Sequence, residues 1–265
     1  MKKGDDSLNE EKAGTALQLF DCNCMVGKRA DRREGEPWSL DQLKEDMAYY
    51  HISEALVFHA LSRDYDPVTG NREIVELLSG SDELLPVWSI LPPASGEMPD
   101  SETFVRDMLD NGVKAVISFP KFHTYSLASW SIGKLLSVLE GHRIPMLLPF
   151  QQFDWNEVYT LCHEHPNLPV ITTGINYRQL RYLLPLWETN RNLYVDTSWF
   201  SAADLIPFLK DIGYLGQLLF GTNYPAYAPP AAVSMITYAD VDMEQKRLVG
   251  GGNLRKLIRD IRMGL

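Results

Sequence analysis

The feature that most constrains the fold is a regular alternation of short apolar runs with longer amphipathic segments after residue 16. Eight of the runs have the length and the apolar or β-branched composition of buried strands. They are residues 17–21, 54–60, 85–91, 113–120, 144–150, 168–174, 192–200 and 217–223. Helical patterns lie between them. Strand–helix units repeated eight times over roughly 250 residues predict a single (β/α)8 TIM-type barrel, here spanning residues 17–265.

An open, doubly wound sheet is the alternative fold, and it is disfavoured because no glycine-rich phosphate turn follows the first strand. The glycines of the GGGN segment at 250–253 are predicted to interrupt a helix and not to bind phosphate. Ser39 and Asp100 are predicted N-caps of helices, and Gly112 and Gly141 are predicted to end helices.

Composition narrows the class of protein. A formal charge of −10 and a pI near 5.1 disfavour nucleic acid and anionic membranes as partners. Three cysteines do not make a disulfide scaffold, and no apolar run reaches the ~20 residues of a membrane span. Residues 1–16 are polar and are predicted to be a disordered tail. We therefore expect a cytoplasmic protein with a small-molecule ligand, and a homo-oligomer is compatible with the sequence.

The first strand ends in FDCNCMVG, where polar and sulfur-containing residues alternate. Because alternate residues of a barrel strand face the interior, Asp21, Asn23 and Met25 are predicted to share the face at the barrel mouth. Cys22 and Cys24 are then predicted to pack against the helices as small apolar side chains. The opposite orientation would place two thiols at the mouth, where they could bind a soft metal.

Several segments at the predicted strand ends resemble one known family. They are FDCNCMVG, GVKAVISFPKFHTYSL, HPNLPVITTG, NLYVDTSWF, LLFGTNYP and GGNLRKLI. Together they resemble the amidohydrolase-related family, which contains metal-dependent hydrolases and decarboxylases built on a distorted (β/α)8 barrel. The resemblance extends over essentially the whole chain after residue 16 and implies the same fold here.

The resemblance also implies where metal ligands would lie. The family usually takes two histidines from Asp-x-His-x-His in strand 1, one histidine each from strands 5 and 6, and an aspartate from strand 8. The matching positions here hold Asn23, Met25, Pro149, Thr173 and Asn223. Neutral amides, a thioether and a hydroxyl are poor ligands for zinc. We therefore predict a protein without the family's metal and without another cofactor.

Candidate site residues follow from their positions at the ends of strands and on the adjacent loops. His123, Asp196 and His59 are the candidate catalytic residues, as groups able to transfer protons. The histidines have a structural alternative, in which His123 bonds a loop carbonyl and His59 packs at a strand end. The candidate substrate-binding residues are Asn23, Arg29, Arg63, Lys121, Gln151, Thr173 and Asn223. The two arginines among them could bind a substrate carboxylate, because a guanidinium group matches the geometry of a carboxylate.

Two functions are compatible with these residues. The first is a hydrolase or decarboxylase that acts on a small carboxylated, lactone or ester substrate without a divalent metal. The second is a catalytically inactive family member that binds a small polar ligand or a protein partner at the carboxyl-terminal face of the barrel. A base–acid pair in the barrel mouth would distinguish the enzyme from the binding protein.

Overall fold

The computed structural model describes residues 17–200, 202 and 204–264. Eight parallel strands follow one another around the sheet in chain order. They are β1 Leu19–Val26, β2 Ile52–His59, β3 Leu84–Ile90, β4 Ala115–Ser118, β5 Met146–Pro149, β6 Val170–Thr173, β7 Leu193–Asp196 and β8 Leu218–Leu219. Each strand overlaps a run predicted from the sequence, so the predicted (β/α)8 barrel is confirmed. The predicted disordered tail, residues 1–16, lies outside the described residues.

Helices follow the strands and cover the outside of the barrel. They are α1 Leu40–Tyr50, α2 Ala60–Asp64, α3 Pro67–Leu77, α4 Ser101–Asp110, α5 Ser129–His142, α6 Trp155–Glu164, α7 Leu180–Thr189, α8 Leu205–Asp211, α9 Pro230–Thr237, α10 Met243–Arg247 and α11 Asn253–Arg259. Single 3₁₀ turns occur at Pro93–Ser95, Phe150–Gln152, Tyr177–Gln179 and Leu215–Gln217. No helix in the described part of the chain is both long enough and apolar enough to cross a membrane.

The helix ends largely follow the local signals. Ser39 caps α1 in a reciprocal capping box with Gln42, and the Asp100 side chain accepts a hydrogen bond at the start of α4. Gly112 follows α4 with φ +72°, as expected of a helix-ending glycine. Gly141 was wrongly predicted to end α5. The helix continues to His142, and Arg143 adopts the left-handed conformation instead.

The glycine segment near the carboxyl terminus is also different from the prediction. Leu248–Gly252 forms a π-helical turn that joins α10 to α11 without a break. A side chain at Gly251 would come within 2.8 Å of the Gln18 carbonyl, and one at Gly250 within 3.0 Å of the Leu19 side chain. The glycines therefore allow this turn to pack closely against the start of β1.

Two hydrophobic layers surround the sheet. The larger one lies between strands and helices and includes Cys24, Val26 and Trp187. The smaller one fills the barrel interior and includes Phe20, Cys22, Met25, Leu56, Ile117 and Leu219. At the carboxyl ends of the strands, above this interior layer, polar side chains gather around a cavity.

The two cysteines of β1 do not share a face, which corrects the predicted alternation. Cys24 packs in the helix layer as predicted, but Cys22 packs inside the barrel. The register of β1 against β2 shifts between Asp21 and Cys24, so Cys22 and Asn23 both turn inward. Asp21 consequently leaves the mouth face. Both thiols are free and buried, and neither lines the cavity at the mouth.

The barrel closes between β8 and β1. Cys22 N–H donates to the Phe220 carbonyl at 3.0 Å, and Met25 N–H donates to the Tyr224 carbonyl at 2.8 Å. The fully buried Asp21 carboxylate accepts hydrogen bonds from both the backbone N–H and the hydroxyl of Thr222. The same carboxylate also accepts a hydrogen bond from the Asn23 N–H, and this bond fixes the irregular turn of β1.

Substitution of Gly221 by alanine should destabilise the barrel. An added Cβ would lie 2.9 Å from Cys22 Sγ and 2.9 Å from the Asp196 carboxylate, so these packed groups must shift. We expect a loss of about 1–3 kcal/mol in the free energy of unfolding, measured by urea denaturation. Gly216→Ala is the matched control, because nothing lies within 4 Å of a Cβ there. Equal stability of the two variants would contradict the packing described at β8.

Candidate functional site at the carboxyl ends of the strands

A cavity of about 360 Å³ opens at the carboxyl ends of the strands. Its floor is formed by five residues at or near the carboxyl ends of strands, namely Asn23, Met25, Pro149, Thr173 and Asn223. These are the five positions that the family resemblance assigns to metal ligands. The structure therefore brings the predicted positions together, although they come from four different parts of the chain.

The floor carries a network of amide and carboxylate groups. Asn23 Nδ2 donates to Asp196 Oδ2 at 3.4 Å and to Asn223 Oδ1 at 3.3 Å. Asn23 is 3% exposed, so its amide has little freedom to turn. Asn223 has φ +55°, a left-handed conformation that asparagine tolerates better than most residues. Both amide side chains line the cavity.

Asp196 lies behind the floor and is fully buried. Its Oδ1 accepts hydrogen bonds from Gly174 N–H and from the Ser198 hydroxyl, both at 3.0 Å, while Oδ2 faces Asn23. Burial raises the pKa of Asp196 to about 6, and the hydrogen bonds from Gly174, Ser198 and Asn23 offset only part of that increase. Asp196 contacts the cavity through Asn23 and not directly.

Charged side chains surround the entrance. The charged residues that line the cavity are Arg29, Asp31, Arg33 and Arg63, and we call these four residues the rim. Arg29 makes two hydrogen bonds, of 2.8 and 2.6 Å, to Glu36. Arg63 contacts Asp31 at 3.0 Å. Arg33 makes no ion pair within the described part of the chain and is exposed.

Aromatic side chains form the walls. They are Phe58, Phe119, Phe122, Phe150, Trp199 and Tyr227. Phe119 stacks on Phe122 at a centroid distance of 6.2 Å, and Trp199 packs against Tyr227 at 5.7 Å. Phe122 and Trp199 are about half exposed, so they lie where a ligand would enter. Flat apolar walls of this kind favour a planar ligand.

The two candidate catalytic histidines lie outside the residues that line the cavity. His123 Nε2 bonds the Arg63 carbonyl at 3.0 Å, while its Nδ1 is buried without a partner in the described structure. Burial lowers the pKa of His123. His59 Nδ1 accepts the Leu61 N–H and caps α2. The structure thus joins His123 to the backbone of a rim residue and joins Asp196 to a floor residue, but it does not bring the three candidates together.

The predicted binding residues divide into two groups. Asn23, Arg29, Arg63, Gln151, Thr173 and Asn223 line the cavity. Lys121 does not line it, because its Nζ donates to the Phe153 carbonyl at 3.2 Å. Its backbone N–H and that of Phe122 both donate to Gln152, a buried lining residue that sequence reasoning missed.

Asp31 and Arg33 were also missed. They belong to the DRREGE segment that follows β1, which reads as an ordinary solvated charge cluster. The available signal was its position, because loops that follow barrel strands lie beside the mouth. The charges of Arg63 and Arg29 hold the pKa of Asp31 below its ordinary value although partial burial opposes this.

The floor residues do not fit the family's divalent metal. The donor atoms that they offer are two amides, one thioether and one hydroxyl, none of which carries charge. Such donors do not offset the cost of removing water from a divalent cation. Within the described residues, no three His, Cys, Asp or Glu side chains lie together as a metal-binding group.

Protonation of Asp196 should make stability depend on pH. A folded-state pKa of about 6, above the ordinary 3.8, means that the folded state binds this proton more tightly than the unfolded state. The stabilisation is complete below about pH 4 and is lost as the pH rises through 6. By linkage it amounts to roughly 3 kcal/mol. We expect the stability of the wild type relative to Asp196→Asn to fall between about pH 4 and pH 7.5.

Urea denaturation across this range measures the effect. Asp100→Asn is a control of opposite sign, because the hydrogen bonds of this N-cap lower the pKa of Asp100. The wild type should gain stability over Asp100→Asn as the pH rises through the ordinary carboxylate range. Parallel stability curves for the wild type and Asp196→Asn would contradict the buried environment described for Asp196.

Comparison with known proteins gives both a family and a fold. A model of the family described as amidohydrolase matches residues 89–259, more than half of the chain. No curated protein sequence matches significantly. Among solved structures, an uncharacterized TIM-barrel protein from Bordetella bronchiseptica is 16% identical with a TM-score of 0.72, over 92% of this chain and 99% of that chain.

Two further structures carry named activities. The 5-carboxyvanillate decarboxylase of Sphingomonas paucimobilis is 13% identical with a TM-score of 0.71, over 93% of this chain and 100% of that chain. A probable 2-pyrone-4,6-dicarboxylic acid hydrolase from Acinetobacter baumannii is 12% identical with a TM-score of 0.64, over 92% and 100%. At these identities the structures show a shared fold. Taken with the match of the family model, they lead to one conclusion. The chain belongs to the amidohydrolase family.

Proposed function

We propose that the protein binds a small cyclic carboxylate in the cavity and hydrolyses or decarboxylates such a compound without a divalent metal. The observation that carries the proposal is the combination of one rim arginine without an ion pair in the described structure, Arg33, with a neutral amide floor. The rim contributes three arginines and one aspartate, and the floor offers no charged metal ligand. The named structural relatives act on carboxylated ring compounds, which agrees with this choice of substrate class.

The carboxylate would bind at Arg33. The other two rim arginines already face carboxylates of the protein, Arg29 on Glu36 and Arg63 on Asp31. Arg33 has no such partner in the described structure, so its guanidinium can bind a ligand carboxylate through two parallel hydrogen bonds. The ring of the ligand would then lie between the aromatic walls, with its far edge over the floor.

Chemistry without a metal needs a base from the protein. Asp196 and His123 are the two candidate bases joined to the cavity lining, through Asn23 and Arg63 respectively, and neither lines the cavity itself. Proton transfer to either would therefore need a bound water between the base and the substrate. A general base contributes about 10² to 10⁴-fold, so we propose slow turnover of activated substrates such as lactones and esters. Water would add to the substrate carbonyl as the base takes its proton, and the alcohol would leave with that proton.

Binding without catalysis is the second candidate. It is favoured by the lining itself, since no histidine or cysteine in the described structure lines the cavity. The one lining carboxylate, Asp31, is paired with Arg63 and has a lowered pKa. A protein of this kind would bind the same ligands, at the same arginine, and leave them unchanged.

Carboxylate binding is tested by calorimetry with benzoate and with 2-pyrone-5-carboxylate. Loss of a charge-assisted hydrogen bond should weaken binding to Arg33→Gln about tenfold. Arg32→Gln is the matched control, because this neighbouring arginine does not line the cavity and bonds the Glu36 carbonyl. Absence of binding to the wild type, or equal weakening in both variants, would contradict the proposed ligand class.

Turnover is tested with a panel of lactones, aryl esters and aromatic carboxylic acids. We expect slow hydrolysis or decarboxylation that neither a chelator nor added Zn²⁺ or Mn²⁺ changes, and that falls at least tenfold in Asp196→Asn or in His123→Ala. Turnover that requires added metal would refute the metal-free reaction. If the protein binds these ligands but turns over none of the compounds, its function is binding without catalysis.

A further inference from the structure

The hydrogen bonds behind the cavity floor fix which atoms the floor offers to a ligand. Asn23 Nδ2 is occupied twice, by Asp196 Oδ2 and by Asn223 Oδ1. No described residue bonds Asn23 Oδ1, and this atom is not among the buried atoms that lack a partner. The amide oxygen of Asn23 is therefore the atom left for the cavity.

Both partners of Asn23 Nδ2 favour this orientation, but only Asp196 imposes it, because the Asn223 amide could present its NH₂ instead of its oxygen whereas an ionised carboxylate can only accept. Asp196 Oδ1 is saturated by the Gly174 N–H and the Ser198 hydroxyl, so only Oδ2 can face Asn23. An ionised carboxylate accepts hydrogen bonds and donates none. Asn23 must then direct its NH₂ group toward Asp196 and its oxygen away from it.

We propose that Asp196 is a specificity-determining positioning residue, which holds the Asn23 amide so that its oxygen accepts a hydrogen bond from the ligand. The proposal rests on the proposed binding of carboxylates in this cavity. The selected ligands carry an N–H or O–H donor on the side of the ring away from the carboxylate. A ligand of the same shape that offers only an acceptor there would meet the lone pairs of Asn23 Oδ1.

The other titratable groups near Asp196 do not supply this orientation. Asp21 and Tyr227 interact with it electrostatically, and the Cys22 thiol lies beside Gly221. Burial raises the pKa of the Cys22 thiol well above its ordinary value, so it stays neutral. None of these groups bonds the Asn23 side chain in the described structure.

Two ligands of nearly the same shape provide the test. 2-Pyridone-5-carboxylate carries a ring N–H where 2-pyrone-5-carboxylate carries a ring oxygen. At pH 8, where Asp196 is ionised, the wild type should bind the pyridone about three- to tenfold more tightly, as expected for one hydrogen bond. Binding is measured by calorimetry, with the pyrone integrity checked by its ultraviolet spectrum.

Asp196→Asn should remove or reverse this preference. The oxygen of the new amide would keep the donors Gly174 and Ser198, and its NH₂ would face Asn23. Asn23 would then turn its oxygen toward residue 196 and its NH₂ toward the ligand. Ser198→Ala is the control, because it leaves Oδ2 and Asn23 in contact, and it should retain the preference of the wild type.

These binding measurements distinguish failure of the proposed carboxylate binding from failure of the proposed role of Asp196. Binding of neither ligand to the wild type would refute carboxylate binding in this cavity. Equal binding of both ligands to the wild type would refute the role of Asp196 while leaving carboxylate binding intact. An unchanged preference in Asp196→Asn would also refute that role. Should this variant not fold, Asn223→Ala decides the proposal, because it removes the other partner of Asn23 Nδ2. A retained preference for the pyridone would support Asp196 as the determinant, and loss of the preference would assign the orientation to Asn223 and refute the proposal.

Discussion

The buried Asp21 carboxylate is the constraint on which the rest of the site depends. Two hydrogen bonds from Thr222 to this carboxylate join the first strand to the chain that follows the last strand, and a third, from the Asn23 backbone, lies within β1. These bonds close the barrel, and they also turn β1 so that two consecutive residues face inward. Without that turn, strict alternation would place Cys22 and Asn23 on opposite faces.

The second buried carboxylate, Asp196, extends the same principle to function. A carboxylate removed from water is tolerated only where hydrogen bonds compensate it. Here the compensating donors are Gly174, Ser198 and Asn23, of which the last belongs to the cavity floor. Asp196, which lies behind the floor, thus sets the polarity of the floor. The charge of the entrance is set by arginines of the loop after β1 and of α2. A cavity built in this way recognises charge at one end and hydrogen-bonding pattern at the other.

The sequence predicted what depends on local pattern. Buried parallel strands are apolar along their whole length, so a short run of sequence identifies them. Helix caps likewise depend on residues close in sequence, such as Ser39 and Gln42, which cap α1 together. The orientation of Cys22 could not be predicted, since the bulge depends on Asp21 and Thr222, which lie 201 residues apart. The hydrogen-bond partner of His123 is also distant in sequence. Its Nε2 partner is the Arg63 carbonyl, 60 residues away, which the sequence does not identify.

A crystal structure of the complex with 2-pyridone-5-carboxylate, grown at pH 8 with Mn²⁺ added, would show which groups of the cavity hold the ligand and whether the floor binds a metal. We expect the carboxylate on the guanidinium of Arg33, the ring N–H on Asn23 Oδ1, and no anomalous scattering from manganese at the floor. Stoichiometric manganese between Asn23 and Asn223, with the ligand bound to the metal, would contradict this expectation.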